Sequence, residues 1–320
     1  MWIVNSLLLT RSILFSPIAA IAPNETDYLS PRAAQAISGI QGWITLNDTV
    51  LSHPYDPTNF TIDPLYHLTY GQGPAAFPPL RQALADFFNR QFHAQPPVFQ
   101  YEIVVASGVT SLIDSRTWST CSDNESLIIP RPLYNSFPTD MRLRSGGTLL
   151  PSSFMWNNQT SLEDVFNATM IRESPQRAWN ALLEIARFCG DRNIHFISDE
   201  IDANSVFSPP QGSNAPNFTS LLFLDLQGVI GPSLVHVMYD MSKDFGASGL
   251  RLAGLHSGNR NLIRAATGIN LFAWPSYLTQ DIWARLLQDA NQTQYFLNLN
   301  RDRLSQSYAI VTSWLDQHNI

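Results

Sequence analysis

Apolar positions along the chain follow two periodicities that alternate. From Pro78 the segment PLRQALADFFNRQF places Leu80, Leu84, Phe87, Phe88 and Phe92 at the spacing of one helix face. Near-continuous apolar runs then recur: EIVVASG (102–108), SLIIPRP (126–132), TLLPSSF (148–154), IHFISDE (194–200), LVHVMYD (234–240) and LRLAGLHSG (250–258). Between them, WNALLEIARFCGDRN (179–193) reads as an amphipathic helix with Leu182, Leu183, Ile185, Ala186 and Cys189 inward and Gly190 near its C-cap. Strands apolar along their whole length are buried on both faces. The alternation therefore predicts an α/β fold, a mainly parallel sheet with helices on either side. A last helix is expected from Asn291 to His318, and residues 23–70, punctuated by Pro31, Pro54, Pro57 and Pro64, read as an extended arm.

Composition narrows the function classes. Charged residues are only 14% of the chain, the formal net charge is −7, and no run of Lys or Arg occurs, which argues against a nucleic-acid partner. So thin a coat of charge points to a face covered by a partner subunit, or to poor solubility. Cys121 and Cys189 stand in unrelated contexts and make neither a disulfide framework nor a metal motif, which suits a reducing, cytoplasmic setting. The N-terminus offers the alternative of secretion or a membrane anchor. Residues 1–22 are apolar from Trp2 to Ala22 and end in Ala20-Ile21-Ala22, although Asn5, Arg11 and Pro17 interrupt them. No later stretch is long and apolar enough to span a bilayer, so a membrane partner is not expected.

In open α/β sheets chemistry gathers where strands end. That directs attention to Ser107-Gly108, Pro130 to Tyr134, Asp199-Glu200 and YDMSKDFGASGLRLAGLHSG (239–258). Lys243 is the sole lysine; the other 18 of the 19 basic residues are arginines. Arginine can replace a structural lysine in nearly every role except losing its proton to become a nucleophile, so Lys243 is a candidate Schiff-base former. The plainer alternative is an ion pair with Asp244. Arg251, after the turn Gly246-Ala247-Ser248-Gly249, is a candidate phosphate clamp or a surface arginine that opens the next strand. Asp199 could hold a protonated ring nitrogen or a metal, or serve as a cap; no cluster with metal spacing accompanies it, and no metal is expected. Ser107-Gly108-Val109-Thr110 is a turn suited to hold phosphate through backbone amides and a hydroxyl. The chain has no GxSxG elbow, P-loop or GxGxxG, the usual supports of hydrolase, NTPase and nicotinamide readings. His195 and His236 lie in strand runs and read as core or rim residues.

Taken in order, ASGVTS (106–111), PRPLYNSF (131–138), SDEI (198–201) and SKDFGASGLR (242–251) resemble the fold-type I pyridoxal-phosphate enzymes of the class I/II aminotransferase family. The look-alikes are the 1-aminocyclopropane-1-carboxylate synthase-like branch, including fungal secondary-metabolism members. The resemblance implies a three-layer α/β/α large domain at residues 76–290, after an arm and small-domain part at 23–75. An incomplete C-terminal small domain would begin at 291–320. It also implies the cofactor pyridoxal 5'-phosphate, held by Lys243 covalently, by Asp199 at the ring nitrogen, and by Arg251, Thr110 and the Val109 amide at the phosphate. Tyr134 would stack on the ring, and Tyr70 would reach the phosphate of a neighbouring subunit in a homodimer. The implied activity is amino-group transfer from an amino acid. A C–S-cleaving or cyclopropane-forming lyase and a degenerate, non-catalytic homologue are the alternatives.

The sequence also departs from that family pattern. Asp202 stands where a tyrosine is usual, and Asp240 where a serine often binds phosphate. Residues 167–179 lack the expected strand and Asn-Pro-x-Asn-Pro turn, and no Gly-Leu-x-Glu-Asn element lies between Phe60 and Tyr70. The small-domain arginine that would grip a substrate carboxylate is not found before Ile320. The pattern resembles a shortened family member.

Overall fold

The computed structural model describes residues 67–71, 73–122, 125–131, 133–153, 175–207 and 218–318. The expectations for residues 1–66 and for a strand or turn motif within 154–174 lie outside the described residues.

Each apolar run becomes a strand: β1 (Ile103–Ala106), β2 (Ser126–Arg131), β3 (Thr148–Ser153), β4 (Phe196–Asp199), β5 (Val235–Asp240) and β6 (Ala253–Ser257). Seven α-helices accompany them among the described residues: α1 (Pro78–Gln91), α2 (Val109–Thr120), α3 (Phe137–Arg142), α4 (Pro175–Asp191), α5 (Arg260–Asn270), α6 (Tyr277–Gln288) and α7 (Ala290–Gln317). The main sheet has the order β1-β6-β5-β4, and β2 pairs with β3 in a separate parallel pair. β4 and β5 are parallel, while β6 is antiparallel to both of its neighbours, so β1, β4 and β5 run one way and β6 alone is reversed.

The sheet is sandwiched because its strands alternate between two apolar layers. Ile103, Val105, Phe196, Val237 and Tyr239 face a core shared with α1, α4, α6 and the start of α7. Val104, Ala106, Ile197, Met238, Ala253 and Leu255 face the opposite core, built with α2 and α5. The first layer is aromatic: Phe87 lies 5.3 Å from Tyr239 between ring centroids, and Phe88 stacks on Phe92 at 5.5 Å. α4 starts four residues before the expected Trp179. Its Gly190 lies inside the last turn, not beyond it, where a Cβ would come within 2.1 Å of the Val229 carbonyl oxygen. Close approach, not capping, is what that glycine provides.

Two polar groups sit deep in the second layer. Arg116, on α2, is fully buried; Nη2 donates to the Leu262 carbonyl at 3.2 Å, while Nε and Nη1 have no partner. Burial pushes its pKa down to about 9. His236 is also fully buried. It shares hydrogen bonds with His195 and with the Ser257 hydroxyl, each at 2.8 Å, so of the core or rim places expected for the two histidines His236 takes the core and His195, half-buried, the rim. No helix among the described residues is long and apolar enough to cross a membrane.

Candidate functional site

The carboxyl ends of β4 and β5 converge on a short turn that carries Lys243. β5 ends at Asp240, and the chain then folds back, Gly246 donating to the Lys243 carbonyl at 3.0 Å and Ala247 to that of Met241 at 3.0 Å. Lys243 is left exposed at the tip. Its sequence neighbour does not pair with it as the plainer expectation had it. Asp244 turns the other way, into the core, and is fully buried. Its Oδ2 accepts from the Asn204 amide at 2.8 Å and from the Tyr239 hydroxyl at 2.8 Å, and its Oδ1 from the Ser205 hydroxyl at 2.6 Å. Burial lifts its pKa to about 6, against the pull of those hydrogen bonds. Asp244 thus pins the lysine-bearing turn to the loop after β4, a positioning role that sequence reasoning missed. The one available signal was an acidic residue directly beside the lone lysine.

Asp199 closes β4 and pairs in register with Met238 of β5. It is buried, accepts a backbone hydrogen bond from Ile201, and keeps Oδ1 without any partner. Burial pushes its pKa up to about 8, and the Asp240 charge adds to the rise. Asp240 is itself buried and accepts from the Ser242 amide and hydroxyl, each at 2.8 Å. Burial raises its pKa, while Ser242, Arg251 and Lys243 oppose the rise. Asp202, in the position where a tyrosine was expected, is raised by burial and faces the Lys243 charge. Glu200 belongs elsewhere: it is buried and anchors the segment after it through the Ser220 hydroxyl at 2.6 Å and the Leu221 amide at 2.8 Å.

The third component is the turn from β1 into α2. Gly108, the N-cap of α2, has φ +83°, which only glycine adopts without strain. A Cβ there would also lie 2.1 Å from Arg251 Nη2. Arg251 adopts the left-handed conformation (φ 53°) before β6 and donates from Nη1 to the Ser248 carbonyl at 3.0 Å. Its strand begins two residues later than the sequence suggested, because that conformation ends the preceding turn. The guanidinium therefore rests against the backbone at the helix start. The Val109 and Thr110 amides belong to that first turn, where helical donors have no acceptor of their own and the helix dipole favours an anion. The Thr110 hydroxyl lies 3.5 Å from Asp140, whose pKa burial pushes up to about 6.

The structure thus draws Lys243, Asp199 and Arg251 to one end of the sheet with the Val109–Thr110 turn. Asp240 is electrostatically linked to all three side chains. The two tyrosines pack on aromatic neighbours. Tyr134 is half exposed with its ring edge against Phe137, and Tyr70 is exposed with its ring edge toward Trp274.

Residues 179–320 match the family model for aminotransferase class I and II. The Aspergillus oryzae protein named probable aminotransferase aclI is 27% identical over 95% of this chain and 78% of its own length. 1-Aminocyclopropane-1-carboxylate synthase 7 of Arabidopsis thaliana is 28% identical over 75% of this chain, and probable aminotransferase gliI of Aspergillus fumigatus 29% over 79%. The chain spans 57% and 63% of the lengths of those two relatives. Among solved structures, a Thermus thermophilus aspartate aminotransferase mutant aligns with a TM-score of 0.61 at 17% identity, covering 77% of this chain and 64% of its own. The aromatic aminotransferase from Pyrococcus horikoshii aligns equally well, with a TM-score of 0.61 at 17% identity over 78% of this chain and 68% of its own. At these identities the structural likeness speaks for the fold.

Proposed function

We propose that this chain is a member of the aminotransferase class I and II family whose model it matches, a pyridoxal-phosphate-dependent aminotransferase acting on an amino acid or an amino-acid-derived intermediate. The observation that carries the reading is Asp199. A buried carboxylate oxygen without a partner is costly, and it fits a ligand that brings its own N–H into the site. A protonated pyridine nitrogen is such a donor. The Gly108–Thr110 turn with Arg251 fits the phosphate of the same ligand, since both the helix amides and the guanidinium favour an anion.

When bound, the cofactor supplies an electron sink that makes a proton on the substrate's Cα removable. The residues of the chain do the rest. Lys243 Nζ would hold the cofactor covalently and, as a free amine, would take and return the substrate's Cα proton. Asp199 keeps the ring nitrogen protonated, and Arg251 with the Val109 and Thr110 amides fixes the phosphate. Asp244 keeps the turn that bears Lys243 in place. Tyr134 is assigned to stack on the ring. Tyr70 is assigned to a second subunit's phosphate in a homodimer. The exposed Leu68, Tyr70, Leu271 and Phe272 support such a covered face. The resemblance to fungal members favours a substrate from secondary metabolism.

The test is to add pyridoxal phosphate to the purified chain and reduce with borohydride. A label on Lys243, lost in Lys243→Ala, is expected; no label in the unaltered chain sinks the reading. The similarity to 1-aminocyclopropane-1-carboxylate synthases gives elimination as a second reading, and the products separate the two. Keto acid formed only with an amino acceptor marks transfer; keto acid or cyclopropane formed without one marks a lyase.

A further inference from the structure

We propose that Asp240 makes phosphate capture in this site proton-linked: its carboxyl is ionised in the free site and takes up a proton when a phosphate ester settles against the start of α2. The inference rests on the cofactor reading above and names the residue that regulates that step. Strand register supplies the geometry. Asp240 lies opposite Ala253, and Ala253 opposite Ala106, the residue that leads directly into Ser107-Gly108 and α2. Asp199 sits beside Met238, two residues before Asp240, so both carboxyls lie on the sheet face covered by α2. Between Asp240 and the turn that caps α2 the row holds only alanines.

The charges around this row decide what happens when an anion arrives. Asp199 from β4, with Asp202 and Glu200 behind it, contributes acidic groups; Lys243 from the turn and Arg251 before β6 contribute positive charge. Asp240 has both oxygens engaged by Ser242 and is buried. A phosphate held by Arg251 and the helix amides sets a second anion near this buried carboxylate, and like charges so placed are not both sustained. A proton from solvent on Asp240 Oδ2 removes the repulsion. The Ser242 hydroxyl, which now donates to that oxygen, rotates to accept, so the network stays satisfied. No other bond forms or breaks.

Uptake of one proton weakens binding by up to about tenfold for each unit of pH above the range where the free carboxyl ionises. Pyridoxal phosphate is titrated by equilibrium dialysis into the full chain and into Asp240→Ser and Asp240→Asn, from about pH 6 to pH 9. The ratio of wild-type to variant dissociation constants cancels the ligand's own ionisation. It is expected to climb with pH toward that limit for both variants. With pyridoxal, which lacks the phosphate, it is expected to stay near unity. A ratio flat in pH, or an equal climb with pyridoxal, overturns the proposal. Dialysis does not require the covalent bond, so failure of borohydride to label Lys243 in wild type and variants alike would count against the cofactor reading separately.

Discussion

Arg116 is the most exacting place to test the physics of this fold. Replacing it with methionine removes a charge that the protein buries without any acidic partner among the described residues, and leaves an unbranched side chain of similar length. A fall in pKa from the ordinary arginine value to about 9 corresponds to about 5 kcal/mol of penalty on the charged form. Against this, the substitution loses the hydrogen bond from Nη2 to the Leu262 carbonyl, about 1 kcal/mol. Imperfect fit of the new side chain costs about 1 kcal/mol more. Arg116→Met is therefore expected to be about 3 kcal/mol more stable at neutral pH, a shift of about 1 M in a urea midpoint. The sign of the pH dependence is fixed as well. Above about pH 9, and below the ordinary arginine range, the unfolded arginine binds more protons than the folded one, so wild-type stability rises with pH there. The advantage of the variant is constant below pH 9 and narrows by about 1.4 kcal/mol per unit above it. Urea unfolding of both proteins at neutral pH and near pH 10 measures both effects. A variant equal to or weaker than wild type at neutral pH, or an advantage indifferent to alkaline pH, would refute the argument.

Other substitutions read out separate parts of the structure. Asp244→Ala strips three hydrogen bonds from a buried cluster and is expected to lower stability by about 3 kcal/mol. Pyridoxal-phosphate labelling of Lys243 should weaken with it, and calorimetry beside a labelling assay checks both. Gly190→Ala pushes a methyl toward the Val229 carbonyl, and a melting temperature several degrees lower is expected by circular dichroism. His236 is held neutral by burial, with His195, Arg116 and His256 adding to the depression of its pKa. The folded protein then binds fewer protons than the unfolded chain below about pH 6.5, so stability should fall as pH drops through that value. His236→Gln should flatten the fall in urea titrations across that window.

How much of this could be read in advance depended on whether the signal was local. Each strand was legible because its apolar run is buried on both faces, as the strand positions of Val104 and Val105 on opposite cores illustrate. The reversal of β6 was not, since a run apolar on both faces carries no direction. α2 buries Ser115, Arg116 and Thr117, so its apolar periodicity is too weak to announce a helix. At the site, Lys243 stood out by its rarity, and Asp199 and Arg251 by their places in recognisable strings. Asp244 gave no comparable sign, because its partners Asn204, Ser205 and Tyr239 come together only when β4 and β5 pair side by side.

The fastening at Asp244 has a consequence for how the protein tolerates change. The amine assigned to chemistry and the carboxylate that anchors it are consecutive residues, so the chain offers no slack between them. A substitution at Asn204 or Ser205, on a different loop, would tilt the peptide under Lys243 by way of that anchor. The reach of the reactive nitrogen is thereby written partly into a segment some forty positions away in the chain. Activity could be tuned there without altering any group assigned to touch cofactor or substrate.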